Sequence, residues 1–255
     1  MRTLRRIEDY RDELGNSIST GVTMDGDIDI QFRGGNNRLE IAAGAKLEVF
    51  RASFDCDNGL LRIGTSGNVP AGRWYLRIGQ DATVEIGDDV SATTPCFVSA
   101  VEGSSVRIGD DVMIASGVEI RADDGHPIFD VHTGERVNPA KDITIGNHVW
   151  LGLHSLVLAG ARIGQGSVIG AKSVVTGKAP IPNNCIAVGS PAKVARRDIA
   201  WERPHLSLAK PYYKPDASTI KKSRYWKTTR QKQTPPPDLL HRVVKRFRAF
   251  FTRSG

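Results

Sequence analysis

The segment RADDGHPIFDVHTGERVNPAKD, between Ile120 and Ile143, gathers Arg121, Asp123, Asp124, His126 and His132 into one polar stretch. An imidazole titrates close to neutral pH and can take a proton from a poor nucleophile, and a carboxylate can orient it through its far nitrogen. Two further histidines, His148 and His154, stand six residues apart and are expected at successive exposed corners. A catalytic zinc would need three imidazoles converging from neighbouring strands. The positions 126, 132, 148 and 154 do not provide that, so no metal is expected. Cys56, Cys96 and Cys185 fit neither a disulfide framework nor a CxxC site and read as free thiols.

What must position this segment is a six-residue repeat. Ile145, Leu151, Val157, Ile163, Ile169 and Val175 are aliphatic at every sixth residue. Gly146, Gly152, Gly164 and Gly170 follow four of them. The fifth column is small or β-branched: Val149, Ser155, Ala161, Ser167, Ser173 and Ala179. Each hexad reads as one short strand with its aliphatic residue inward, followed by a corner where glycine relaxes the backbone. Three hexads close a triangular coil of about 18 residues, so Ile145 should stack on Ile163 and Leu151 on Ile169.

The repeat runs earlier with slips. Ile108, Ile114 and Ile120 are in phase, whereas Ile78 and Ile86, like LEI at 39–41 and LEV at 47–49, repeat at eight. Residues 24–120 are therefore read as irregular coils of the same stack, the alternative being a separate β-sandwich. The expected organisation is a lead-in at 1–20 with a short amphipathic helix (Leu4, Ile7, Tyr10, Leu14), a β-helix at 21–198 with the loop 121–142 protruding, and an extension at 199–255. Asp238 could cap a final helix, 238–252, with an apolar stripe flanked by Arg242, Lys245, Arg246 and Arg248. Such a helix suits an anionic membrane surface or packing on the prism.

Net charge is +7 over 255 residues, but from Trp201 onward 14 bases face 3 acids, leaving a mildly acidic body. Whole-domain nucleic-acid binding is not expected. The opening MRTLRRIEDYRDELG lacks the apolar core of a secretory signal. A cytoplasmic protein is expected, with the basic helix a contact to the inner face of the membrane.

IGNHVWLG, VIGAKSVVTG and AVGSPAKVARR, together with DGHPIFDVHTGERVNP, resemble the hexapeptide-repeat acyltransferases. The branch is that which O-acetylates bacterial surface polysaccharides and sialic acids, and the match spans roughly 105–200. The resemblance implies a mainly β, left-handed parallel β-helix, a homotrimer, acetyl-CoA as acyl donor and a carbohydrate acceptor. It implies a loop histidine as general base and a tryptophan 24 residues later lining the site, which fall on His126 and Trp150. By the same matching, Gly152 faces the acetyl end of the donor. Ala171 and Thr176, with Lys178 nearby, flank its pantetheine arm, and Lys193 and Arg196 meet its phosphates. Arg121, Asp123, Asp124 and His132 are acceptor-side candidates. An oxyanion would be met by a coil N–H or by the Trp150 indole. Relatives often carry Lys directly after the Thr, but here Gly177 intervenes. Competing readings are an acyltransferase for another acceptor or a longer acyl chain, a zinc hydratase on the same fold, and a non-catalytic scaffold.

Overall fold

The computed structural model describes residues 2–208, 210, 212–213 and 217–230. The expected helix 238–252 lies outside these residues. The chain winds as a parallel β-helix of three faces, two with eight strands and one with six. In the regular coils it passes from face 1 (Ile143–Ile145) to face 2 (Trp150–Leu151) to face 3 (Leu156–Leu158). It then returns to face 1 at Arg162–Ile163. Ile145 pairs with Ile163, Leu151 with Ile169 and Val157 with Val175, as an 18-residue coil requires.

Earlier coils are wider. Leu39 pairs with Leu61 on face 1 and Phe97 with Glu119 on face 3, 22 residues apart in each case. Face 2 gains its first paired strand only at Ser91–Ala92, so residues 39–41 and 47–49 lie on faces 1 and 3 of one broad coil. The larger cross-section is filled by Phe32, Phe50, Phe54 and Trp74, all fully buried, whereas the narrow coils are filled by Ile, Leu and Val. Each such buried side chain contributes about 1.5–3 kcal/mol relative to exposure.

Both ends of the stack are closed by antiparallel strands. The expected N-terminal helix is not formed. Arg2–Leu4 instead pairs with Asp27–Phe32 on face 3, and Tyr10–Arg11 pairs with Ser17–Thr20 on face 1. The reason is the open end of the coil, whose unpaired strand edges and core outweigh the propensity of a short helix. Ile7 is buried there and Tyr10 stacks on Phe32, but Leu14, on the same supposed helical side, is exposed. At the other end Ala192–Arg196 turns back on Ile186–Gly189.

The outer surfaces differ. Face 1 carries an ionic ladder, with Arg62 bound to Glu40 and Glu85 and Arg107 to Glu85, at 2.7–2.9 Å. On the later coils face 2 presents Met113, Trp150, Val168 and Ile186, and face 3 presents Leu156, Leu158 and Val174. All of these are at least partly exposed.

After Arg197 the chain runs back along the corner between faces 1 and 2. Ile199 exchanges hydrogen bonds with Asn184, Trp201 covers His148, and Arg203 reaches Asp111, Ser91 and the Asp89 carbonyl. His148 was expected to be exposed; it is 2% exposed, stacked between Trp201 at 4.0 Å and Tyr225 at 4.3 Å. The extension, not the repeat, buries it. His154, at the next corner, is exposed.

Asp111 joins His148 (2.6 Å) and Arg203 in this strap. Burial pushes its carboxyl up, but the hydrogen bonds from His148 and Arg203 outweigh that and hold it below the ordinary 3.8. A depressed carboxylate stabilises the fold above its unfolded value and stops doing so as pH falls through its folded value. Acidification below 3.8 should therefore loosen the strap, read as a red shift of tryptophan emission. Asp111→Asn should show the shifted emission already at neutral pH; spectra superimposable on wild type throughout would disprove the role.

Candidate active site

The loop leaves face 3 after Glu119–Arg121 and returns to face 1 at Ile143–Ile145, so it springs from the corner joining those faces. Its neck is closed by Lys141 N–H donating to the Ala122 carbonyl at 3.0 Å and by Asp142 accepting from Ser105 N–H at 2.7 Å. Beyond the neck it folds into a small hairpin. Val137 donates to Ile128 and Asp130 to Glu135, and Asp130 turns the tip by accepting from the N–H groups of His132 and Thr133. That turn leaves His132 exposed at the far end, away from the neck.

The segment 123–126 is held from both sides. Asp123 is buried, accepts from Ser99 Oγ (2.7 Å) and Gly125 N–H (2.9 Å), and lies 3.9 Å from Arg77. Asn138 Nδ2 donates to Asp124 and to the His126 carbonyl, both at 2.9 Å, while its Oδ1 accepts from Ile128 N–H. Arg136 pairs with Glu102 and so ties this clamp to the preceding coil. Ser99, Arg136 and Asn138 were not singled out in the sequence. Asn138 carried no signal, since an Asn before Pro139 reads as a turn residue. Among the described residues, no hydrogen bond joins Asp123 or Asp124 to the His126 ring, so both carboxylates shape the loop.

Two clefts flank this segment. The smaller, about 300 Å³, is lined by His126 with Asp55, Cys56, Arg77, Glu102, Asp123 and Arg136. The larger, about 800 Å³, runs down the same corner past Glu102, Asp124, Lys141, Leu158 and Arg162 to Thr176 and Lys178. His126 is exposed and opens to the first; Asp124, two residues earlier, lines the second. The clefts share Glu102, and the loop segment is the wall between them. Arg121 is drawn aside, pairing with Glu119 at 2.7 Å and lying over the Phe97 ring.

The other candidates stand elsewhere on the prism. Trp150 lies on face 2, 38% exposed, and lines neither cleft. Gly152 and Ala171 stack at the corner between faces 2 and 3; a Cβ on Gly152 would come within 2.5 Å of the Ile169 carbonyl oxygen. The Gly152 N–H donates to that same carbonyl at 2.8 Å, so it is committed to the coil ladder. Lys193 and Arg196 are exposed on the closing strand of face 2. One chain thus brings together His126, Asp123, Asp124, Thr176 and Lys178 at one corner. Trp150, Gly152, Ala171, Lys193 and Arg196 belong to face 2 and its far edge. No cluster of three or more metal-ligating side chains exists among the described residues.

No family model matches the chain. A polysialic acid O-acetyltransferase of Escherichia coli O1:K1 / APEC is 39% identical over 126 residues, 49% of this chain and 38% of that relative. The Neisseria meningitidis polysialic acid O-acetyltransferase is 32% identical over 148 residues, 50% of this chain and 68% of the relative. The chain thus spans well under half the length of the first of these and about two thirds of the second. The crystal structure of the polySia specific acetyltransferase NeuO superposes with a TM-score of 0.64 at 33% identity, over 77% of this chain and 90% of that one. With its three-faced coil and inserted histidine loop, the chain belongs to the hexapeptide-repeat acyltransferases and is similar to their polysialic acid O-acetylating members.

Proposed function

We propose that this protein is an O-acetyltransferase that moves an acetyl group from acetyl-CoA to a sugar hydroxyl of a bacterial surface glycan. The observation that carries this is the loop wall: one short segment places an exposed imidazole in a small cleft and backs onto a long groove. The small cleft, with its carboxylates, guanidinium groups and one imidazole, suits a polyhydroxylated acceptor. The groove, with Lys141, Arg162 and Lys178 along it, suits an extended anionic donor.

In this mechanism His126 takes the proton as the acceptor oxygen attacks the thioester carbonyl. A tetrahedral intermediate forms with its charge on the former carbonyl oxygen. It collapses by breaking the C–S bond with no acyl-enzyme: the CoA sulfur leaves with the electron pair and takes up the proton held by His126, releasing the CoA thiol and the sugar ester and restoring the neutral imidazole. The Trp150 indole walls the donor side of the site, and since the Gly152 N–H is already used, another coil N–H meets the oxyanion.

The scattering of donor-side residues over two corners supports a shared site. We propose a left-handed coil assembled as a trimer, its axis along the 2–3 corners, so that face 3 of one subunit meets face 2 of the next. On the later coils those two faces present the uncharged Met113, Trp150, Val168, Leu156, Leu158 and Val174, whereas face 1 carries an ionic ladder suited to water. The hairpin tip, with Phe129 and Val137 over half exposed and Val131 90% exposed, then meets the neighbour. Trp150 of one subunit, next to the corner between faces 1 and 2, completes the cleft of His126, Thr176 and Lys178 from the other; Gly152 and Ala171 stand nearer the axis, and Lys193 and Arg196 meet the donor phosphates. We place the protein in the cytoplasm, where acetyl-CoA is made, with 238–252 as its contact to the membrane.

Free CoA thiol release from acetyl-CoA tests this, with sialic acid oligomers, galactosides and amino-sugar nucleotides offered in turn. Release that depends on a glycan hydroxyl is expected, fastest with the sialic acid oligomers. Release only with an amino-sugar nucleotide would replace the O-acetyl reading by N-acyl transfer.

A further inference from the structure

The extension after Arg197 lies beyond the coils, yet its first tryptophan touches the tryptophan assigned to the donor site. The ring centroids of Trp201 and Trp150 are 6.0 Å apart and the rings are tilted by 47°. We propose that Trp201 is a positioning residue for the acyl-donor site: it props the Trp150 indole against face 2, and the strap exists in part to hold it there. This rests on the reading that Trp150 lines the donor groove.

Trp150 is in need of such a support. Within one chain it occupies a two-residue strand on an outward face, 38% exposed. Among the described residues, nothing in its own coil except Trp201 restricts its rotamer before a neighbouring subunit meets that face. An oxyanion donor or donor-site wall acts only when its place is fixed before substrate arrives.

Trp201, in contrast, is fixed on every side. Its Nε1–H donates to the His148 carbonyl at 3.0 Å and its own carbonyl meets His148 Nε2 at 2.9 Å. Its ring stacks on the His148 imidazole, whose other nitrogen is held by Asp111. Arg203, two residues on, ties the same Asp111 to Ser91 and the Asp89 carbonyl, so the strap is anchored over three successive coils. From the far side Tyr225 covers the imidazole, and Glu202 accepts from Trp226 Nε1–H and Ser223 N–H. These contacts lie at the corner between faces 1 and 2, directly beside Trp150. A rigid ring at that edge limits how far the Trp150 indole can swing outward. A strap with only a stabilising task has no need to place an indole against an exposed functional side chain.

The test is calorimetric titration with CoA, which needs no acceptor, on wild type, Trp201→Ala, Trp201→Phe, Trp150→Ala and the double variant Trp150→Ala/Trp201→Ala. Trp201→Ala is expected to weaken CoA binding about tenfold, the scale of a misplaced positioning group, and Trp201→Phe, which keeps a ring in place, by less than about threefold. The double variant should bind no more weakly than Trp150→Ala alone, because residues acting through one another are not additive. Unchanged CoA affinity in Trp201→Ala, or additive losses in the double variant, would overturn the proposal. So would equal weakening by Phe and Ala that tracks a loss of thermal stability. If Trp150→Ala itself binds CoA like wild type, the donor-site reading fails first, and that result is separable from the others.

Discussion

Replacing His126 by alanine should lower acceptor-dependent turnover by about 10²–10⁴, the range a positioned general base supplies. A sugar hydroxyl is almost wholly protonated at neutral pH, so attack without a base must develop positive charge on the oxygen. No carboxylate on the wall of the small cleft is as free to take that proton: Asp55 accepts from Arg77 and Ser53. Asp123 is buried in its bonds to Ser99 and Gly125 and approached by Arg77, and Glu102 is held by Arg136, which lowers its basicity. The loss should fall on kcat, with the KM for acetyl-CoA little changed, because His126 opens to the small cleft and not to the long groove. The fold should survive. The imidazole is exposed, and what holds the loop here is the His126 carbonyl on Asn138, which alanine also provides. Steady-state rates with an unchanged melting curve check this; a rate within a few-fold of wild type would remove His126 from the chemistry.

The spiral was legible because it is written in a period. Once Ile145, Leu151 and Val157 keep step with Ile163, Ile169 and Val175, stacking is the one way to bury them all. Where coils widen to 22 residues the period blurs, since the added residues lengthen the strands, to eight at Leu47–Phe54 against two or three in the narrow coils. There the signal moves from spacing to size, in Phe32, Phe50, Phe54 and Trp74. The two ends were illegible for another reason. Residues 2–11 are governed by the exposed edge they cover, and a pattern of Leu4, Ile7 and Tyr10 is served as well by two short strands as by a helix. His148 was misplaced because its neighbours Trp201 and Tyr225 are 53 and 77 residues away in sequence. The loop histidine could be found from its motif, whereas the clamp that holds it, Asn138 with Arg136 and Glu102, is built from residues as common in any turn. The separation of His126 and Trp150 onto different sides of the prism has no trace in a spacing of 24.

That separation has a large measurable consequence if the site is shared between subunits. His126→Ala should be nearly inactive, and Trp150→Ala about tenfold slowed at subsaturating acetyl-CoA. Co-assembled from equal amounts, the two should recover about a quarter of the wild-type rate. A seam is whole only where a subunit with intact His126 meets one with intact Trp150, each with probability about one half in a cyclic trimer. The same proteins assembled separately and then mixed should show only about a twentieth, the mean of two poor enzymes. Purified homotrimers of each variant, dissociated and refolded together, would distinguish the two directly. Were both residues to act within one chain, co-assembly would add nothing to the separate mixture, since every chain would carry one lesion. A native mass of one chain would reject the shared seam outright, leaving the apolar side chains of the later coils on faces 2 and 3 without an occupant. Recovery near a quarter, by contrast, would mean that the hairpin carrying Phe129, Val131 and Val137 reaches the neighbour's face 2, and that the distance between loop and indole within one chain is how the fold builds each site from two copies.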